Sequence, residues 1–466
     1  MKYCKSILIT IFVFFNVSCS GFVDYNFVKG KSYNVAVIGT GYVGLIAGSG
    51  LAEIGHRVIC ADIDKDKINI LNNGQMPIFE PGLSGVVKKN YDNKRLFFTD
   101  DVSSAIRNSD IIIIAVGTPM GKNGKANLFA LKSVIRSIGE NLNGYKVICT
   151  KSTVPVGTNN LVKSLLTEYS GESNFDIVSN PEFLRAGSAV KDFFERNPIV
   201  LGSDSEKALE VMKDLYSPLI KKGLKLITSN LETAETIKYA WNSFSAIRIG
   251  YTNELSRFCQ TCGADVFKVI QGMSLSEDLL PSKKLRPGPG IGGSCLPKDT
   301  SAFVDFAKKL GVDLAIVRAS IESNEKQKNF VIKLLYDLLD GSVKGKTIGI
   351  LGLSFKPNTD DIRMTPAIPL IEQLLNDSAY VKAYDPKAMD NVEALFPEVE
   401  YCSSVYDVFK GCNAVVVLTD WSEFKSLDFD RIEEFMAQSI IVDGRNMFDP
   451  STMQKKSFRY TNLGRV

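Results

Sequence analysis

Short, almost unbroken apolar runs alternate with longer amphipathic stretches along most of the chain. Val35-Ala36-Val37-Ile38 leads into a glycine-rich turn and then a helical stretch. Arg57–Ala61, Ile111–Val116 and Lys146–Thr150 repeat the theme. Continuous apolar strands separated by helices predict a parallel sheet covered on both faces. From about Asn230 to Gln327 the strand pattern stops and long helical stretches replace it, as in Ala234–Cys262. Lys346–Gly352, Val381–Asp385, Ala414–Leu418 and Ile440–Asp443 then restore the alternation. The pattern predicts an α/β protein with two α/β units and a helical connector, over residues 31–228, 328–466 and 229–327 respectively.

The first thirty residues follow another rule. Lys2 and Lys5 precede the apolar run Ile7–Val17 and then Ser18-Cys19-Ser20-Gly21, the order of a secretory leader. A lipoprotein leader with Cys19 lipidated is the weaker variant, because Asn16 stands where Leu is usual. A non-functional leader or an upstream start codon is the alternative. The run is too short to span a bilayer comfortably. Membrane attachment is expected only if the leader is kept or Cys19 carries a lipid.

Bulk numbers narrow the function classes. A chain of 466 residues exceeds one ordinary core, consistent with several domains. Its 55 basic and 52 acidic residues leave a net charge of +3, with no basic concentration of the kind nucleic acid requires, so no nucleic-acid partner is expected. Nine scattered cysteines favour a reduced compartment over a disulfide scaffold. Cys259 and Cys262 form a lone C-x-x-C inside a predicted helix and read as two helix-face thiols; no metal site is expected. The one histidine, His56, sits in a turn before a strand. Acid–base work therefore falls to Asp, Glu, Lys, Cys or water.

Two segments carry chemistry. Gly39-Thr-Gly41-Tyr42-Val43-Gly44 follows a predicted strand and opens a helix. Such glycines permit a tight turn, close approach of backbone to a pyrophosphate, and close helix–strand packing. Asp62 ends the next strand, 18 residues after Gly44. A carboxylate there accepts from ribose hydroxyls and repels a 2′-phosphate, which favours NAD over NADP as the cofactor. The second segment, Gly288–Asp299, is glycine-rich and ends in Cys295, Lys298 and Asp299. Lys298 is expected to lower the Cys295 pKa and make the thiol nucleophilic. By itself the segment fits equally a structural loop with an inert thiol. The combination is more telling: a hydride acceptor plus a thiol that traps an aldehyde can take an alcohol to an acid.

The order of motifs extends this. GTGYVG (39–44), PIFEPGL (77–83), VGTP (116–119), KSTVPVGT (151–158), NPEFLR (180–185), KYxxN (238–242), GGSCLPKD (292–299), FKPNTDDIR (355–363) and DGRN (443–446) follow one another. With these the chain resembles the UDP-glucose/GDP-mannose dehydrogenase family over nearly all of residues 33–456. The resemblance implies two Rossmann-like, doubly wound domains joined by a central helical region that forms a homodimer. It implies NAD-dependent oxidation of a nucleotide sugar at C6, with UDP-glucose favoured and GDP-mannose or a UDP-N-acetyl-hexosamine as alternatives. A cytoplasmic supplier of uronate for polysaccharide synthesis follows from it; a degenerate dinucleotide-binding protein is the non-enzyme alternative.

The resemblance also implies roles. Cys295 is the nucleophile, Lys238 with Asn242 steadies the oxyanion, and Asp299 holds or activates water. Glu182 is the base for thioester hydrolysis, and Thr153 joins the relay. Gly39, Gly41, Tyr42, Val43, Gly44, Asp62, Lys67, Thr118, Ser152 and Arg363 are expected to hold NAD. Glu182, Phe183, Leu184, Lys238, Asn242, Lys284, Leu285, Arg286, Pro287, Gly288, Gly292, Lys356 and Arg445 are expected to hold the nucleotide sugar. Two positions depart from the pattern. Ala186 stands where the family commonly has a second Glu, leaving the relay to Thr153, Glu182 and solvent. Leu279 stands where UDP-glucose enzymes usually have an Arg, with Arg286 as the candidate to compensate.

Overall fold

A computed structural model describes residues 25, 27, 30–121, 125–171, 174–275 and 285–465. The leader, Leu279 and Lys284 lie outside the described residues. Among those described, no helix is long and apolar enough to cross a membrane.

The first unit is an eight-stranded sheet. Its strands are β1 (Asn34–Ile38), β2 (Arg57–Ala61), β3 (Leu96–Thr99), β4 (Ile111–Ile114), β5 (Lys146–Thr150), β6 (Phe175–Ser179), β7 (Ile199–Gly202) and β8 (Leu226–Ser229). They lie in the order β3-β2-β1-β4-β5-β6-β7-β8. All neighbours are parallel except β6 and β7. The sheet has apolar cores on both faces, so β4 and β5 are buried along their whole length. The second sheet is β9 (Thr347–Leu351), β10 (Tyr380–Tyr384), β11 (Glu400–Tyr401), β12 (Ala414–Val417), β13 (Ile440–Asp443) and β14 (Arg459–Asn462). Its order, β11-β10-β9-β12-β13-β14, is wholly parallel and repeats the topology of the first six strands. Each sheet therefore reverses winding beside its first strand, between β1 and β4 and between β9 and β12, where a crevice opens at the carboxyl ends.

Between the sheets runs the central helix Leu231–Cys262, 32 residues long. The Asn230 side chain accepts from the Thr233 amide at its start, and Gly263 ends it in a left-handed turn. A second helix, Ala315–Leu338, passes straight through the expected junction at residue 327. Its last turns pack Val331, Leu334 and Leu335 into the core of the second sheet. The strands β3, β6, β7, β8, β11 and β14 had no clear signature in the chain. Of these, β11 has only two residues and β8 is largely exposed. His56 is a core residue: Nε2 contacts the Leu215 carbonyl at 2.8 Å and the Tyr33 amide approaches Nδ1 at 3.4 Å. Burial pushes its pKa down, against the pull of the Leu215 carbonyl and Asp214.

Candidate active site

The helix that follows the first glycine turn, α1 (Tyr42–Glu53), starts at the first winding reversal. A Cβ on Gly44 would collide with the Gly39 carbonyl oxygen, so the third glycine lets helix and strand touch. A Cβ on Gly41 would meet nothing within 4 Å. That open cradle faces the unpaired amides of the helix start, which is what a pyrophosphate needs. Asp62 stands beside it. Its Oδ2 accepts from the Thr40 amide at 2.7 Å, the Thr40 hydroxyl at 2.8 Å and Lys67 Nζ at 3.3 Å. Burial would raise its pKa, but the Thr40 donors, the Asp64 amide and Lys67 outweigh burial and hold the carboxylate below its usual range. An ionised acceptor at a ribose position fits NAD. The Thr118 hydroxyl donates to the Thr153 carbonyl and the Ser152 hydroxyl to the Val116 carbonyl, each at 2.7 Å. These bonds lock the loops after β4 and β5 together at the crevice. Val43 packs against the core, and the Tyr42 hydroxyl is committed to Glu80.

The reaction centre is built on the buried face of the central helix. Lys238 and Asn242, one turn apart, point the same way. Lys238 Nζ meets Glu182 Oε1 at 3.2 Å, and both side chains are nearly free of solvent contact. The other Glu182 oxygen accepts from the Leu184 amide. Asn242 Nδ2 donates to Asp299 Oδ2, and Lys298 Nζ to Asp299 Oδ1, each at 2.5 Å. Burial would strip the Lys238 proton, yet Glu182, Asp299 and the Cys295 sulfur raise its pKa above the ordinary value. Lys238 therefore stays a cation, the state needed to meet an oxyanion.

The expected effect of Lys298 on Cys295 is not found. The Lys298 ammonium is turned onto Asp299. Cys295 is open to water at its mouth, but its surroundings push the thiol up: desolvation first, then the charge of Glu182. Lys238 and the Ser294 hydroxyl pull it down, and Asp299 adds to the rise. The resting sulfur is a protonated thiol.

The third unit closes over this centre. The Gly293 amide donates to the Arg363 carbonyl at 2.7 Å. A Cβ on Gly292 would stand 2.8 Å from both the Met364 carbonyl oxygen and Phe355 Cβ. Glycine at 292 thus lets the third unit dock closely against the loop before Cys295. The Arg363 guanidinium is bidentate to Asp361 and largely exposed, within electrostatic range of the Cys295 sulfur should it ionise. The Lys356 ammonium lies over the Phe355 ring, 5.4 Å from its centroid, within electrostatic range of Cys295. Arg445 does not reach freely into the crevice; it donates to the Leu418 carbonyl at 2.7 Å and the Phe355 carbonyl at 2.9 Å. Phe183 is buried against Trp241, with ring centroids 5.1 Å apart, and Lys238 lies over its face. Leu184 is half-buried against the first core. Leu285 packs with Cys259, Val266 and Ile270 rather than toward the centre. Arg286 is exposed, and Pro287 and Gly288 are buried.

Several contributors were invisible in the chain. Asn253 accepts from the Gly288 amide, Gln327 donates to the Gly288 carbonyl, and Asn324 holds both backbone groups of Ile291. These amides come from two different helices and clamp the loop before Cys295. No local spacing announces them. The second sheet also carries a copy of the Asp62 arrangement. Asp385 follows β10 and accepts from the Leu353 and Ser354 amides at 2.8 and 3.0 Å. Here Trp421 Nε1 takes the same carboxylate at 3.0 Å, and Asp385 is fully buried. No ribose can reach it, so this crevice is unfit for a second dinucleotide.

Comparison with known proteins agrees with this fold. The NAD binding domain of the UDP-glucose/GDP-mannose dehydrogenase family matches residues 33–220, its central domain 232–326, and its UDP binding domain 349–450. The UDP-glucose 6-dehydrogenase TuaD of Bacillus subtilis is 48% identical over 433 residues, covering 92% of this chain and 93% of its own. A UDP-glucose 6-dehydrogenase of Rhizobium meliloti is 41% identical, covering 92% and 99%. Among solved structures, a UDP-glucose dehydrogenase from Pyrobaculum islandicum superposes with a TM-score of 0.86 at 32% identity, covering 96% and 100%. A UDP-D-ManNAc dehydrogenase from Pyrococcus horikoshii gives 0.82 at 28%, covering 93% and 99%. On its sequence, its topology and its site, this chain belongs to the UDP-glucose/GDP-mannose dehydrogenase family.

Proposed function

We propose that the protein is a UDP-glucose 6-dehydrogenase that makes UDP-glucuronate in two NAD-dependent oxidations through a sulfur adduct on Cys295. The observation that carries this reading is the meeting of Cys295, Lys238, Asn242, Asp299 and Glu182 beneath a dinucleotide crevice. NAD, when bound, supplies the hydride acceptor. The chain's own groups do the rest. The Asp299–water system takes the C6 hydroxyl proton in the first oxidation. Cys295 then adds to the aldehyde carbon: its S–H bond breaks, a C–S bond forms, and the proton ends on the former carbonyl oxygen, which Lys238 and Asn242 steady. The second oxidation leaves a thioester. Water, deprotonated by Glu182, cleaves the C–S bond, releases the carboxylate and returns the thiol. Thr153, on the loop after β5, is assigned to this relay by family resemblance. Lys356, Arg363, the Phe183 wall and the loop before Cys295 position the ligands.

The test is product analysis after incubating purified protein with NAD and UDP-glucose, GDP-mannose or a UDP-N-acetyl-hexosamine in turn. UDP-glucuronate with two NADH per sugar is the expected result. Acid formation only from another sugar overturns the substrate, and no turnover with any of them overturns the activity. Both co-substrates belong to the cytosol, which is the proposed location.

The outer face of the central helix supports a homodimer. Trp241, Phe244, Tyr251 and Phe258 are each at least half exposed, and the last three recur every seven residues. Arg248 lies between them with a buried Nε that has no hydrogen-bond partner. An aromatic stripe of this kind on one helix marks an interface. Light scattering is expected to give a dimer, and Phe244→Asp with Phe258→Asp a monomer. A monomeric wild-type chain at micromolar concentration would refute this.

A further inference from the structure

Glu80 has no role in the scheme above, yet it is almost fully buried. Its Oε2 accepts from the Tyr42 hydroxyl and, at 2.7 Å, from the Gly187 amide; its Oε1 accepts from the Ala189 amide at 2.7 Å. Tyr42 is the first residue of α1, directly after the open cradle at Gly41. Gly187 and Ala189 end the loop that begins at Glu182. The third unit leans on the same spot. Lys356 lies within electrostatic range of the Glu80 carboxylate, and a Cβ on Gly187 would stand 2.8 Å from the Asn358 carbonyl oxygen. A buried carboxylate must have its lone pairs used. Two loop amides would serve if Glu80 only shaped its own neighbourhood. The additional donor comes instead from the helix turn that a pyrophosphate would grip.

We propose that Glu80 is a positioning residue that couples the two ligand sites: through Tyr42 on one side and Gly187 and Ala189 on the other, an occupied dinucleotide loop orders the Glu182–Ala189 loop for the nucleotide sugar. This rests on the nucleotide-sugar reading. A pyrophosphate on the first amides of α1 restrains Tyr42. Its hydroxyl then holds Glu80 in one orientation, and Glu80 holds the loop that presents Glu182 and the Phe183 wall. The second ligand meets a loop already ordered and loses less freedom on binding. Linkage makes the effect reciprocal.

The experiment is calorimetric titration of UDP-glucose into the full chain, without cofactor and with saturating NADH, which permits binding but no oxidation. The ratio of the two dissociation constants is the readout. In the wild type NADH is expected to tighten UDP-glucose by at least ~5-fold, the lower end of ordinary coupling. Tyr42→Phe deletes only the hydroxyl, and its ratio is expected to drop to within about twofold of unity. Glu80→Gln is expected to do the same, and the double variant no more than either alone, because all three break one chain of contacts. A purely architectural role would lower the melting temperature and leave the ratio unchanged. A wild-type ratio of one, or a native ratio in Tyr42→Phe, overturns the proposal; should Glu80→Gln fail to fold, Tyr42→Phe decides. A wild type that binds NADH but no UDP-glucose overturns the substrate assignment instead, and the ratio is then read with the nucleotide sugar that the chain does oxidise.

Discussion

Replacing Cys295 with Ser or Ala is expected to abolish net uronate formation, by more than about a thousandfold. Serine has the shape but not the sulfur, so no adduct forms that can lose a second hydride and then be hydrolysed. The fold is expected to survive, since the only side-chain hydrogen bond given up is a long 3.6 Å contact with the Ser294 hydroxyl and the substitutions are no larger than Cys. The resting thiol has its own signature. Because burial and Glu182 raise its pKa, alkylation of the free protein by iodoacetamide is expected to keep quickening beyond pH 9, the ordinary thiol value. A plateau near neutrality would mean a resting thiolate. Uronate production by Cys295→Ala at a near-native rate would end the covalent scheme.

The second large effect concerns Lys238. Lys238→Met removes the oxyanion donor, for which about 10²–10³ in kcat is the ordinary cost. It also strands the Glu182 carboxylate, whose partner across 3.2 Å is lost in a site nearly closed to water. Breaking a buried pair from one side costs on the order of 3–5 kcal/mol of stability. The two losses separate in a double variant. Lys238→Met with Glu182→Gln replaces a charge pair by neutral groups of similar volume, so most of the stability is expected to return while activity does not. Denaturant melts and initial rates on the same preparations read both. A kcat within tenfold of wild type in Lys238→Met would remove Lys238 from the chemistry.

Ala186 bears on the same centre. It leaves Glu182 as the carboxylate of this loop beside Lys238. The neighbouring Arg185 is turned away, with its guanidinium bidentate to the buried Asp192.

What could be read along the chain was the kind of chemistry. A strand, a glycine turn, a helix and an acid at the end of the next strand are local and periodic. Asp62 was therefore legible as a carboxylate beside the glycine turn, and Lys238 with Asn242 as neighbours on one helical face. The helical middle was legible too, because the central helix needs only its own 3.6-residue pattern. Protonation and contact were not. Lys298 sits three residues from Cys295, but its ammonium turns to Asp299, so proximity in sequence misjudged the thiol. Asp385 copies Asp62 in its strand position and differs only because Trp421, from another crossover, plugs it. The close docking of Phe355 and Met364 on Gly292, from some sixty and seventy residues away, had no trace in the local pattern either. The physical reason is general: residue type and period are properties of a line, whereas a pKa or a satisfied hydrogen bond depends on every group that folding brings to face it.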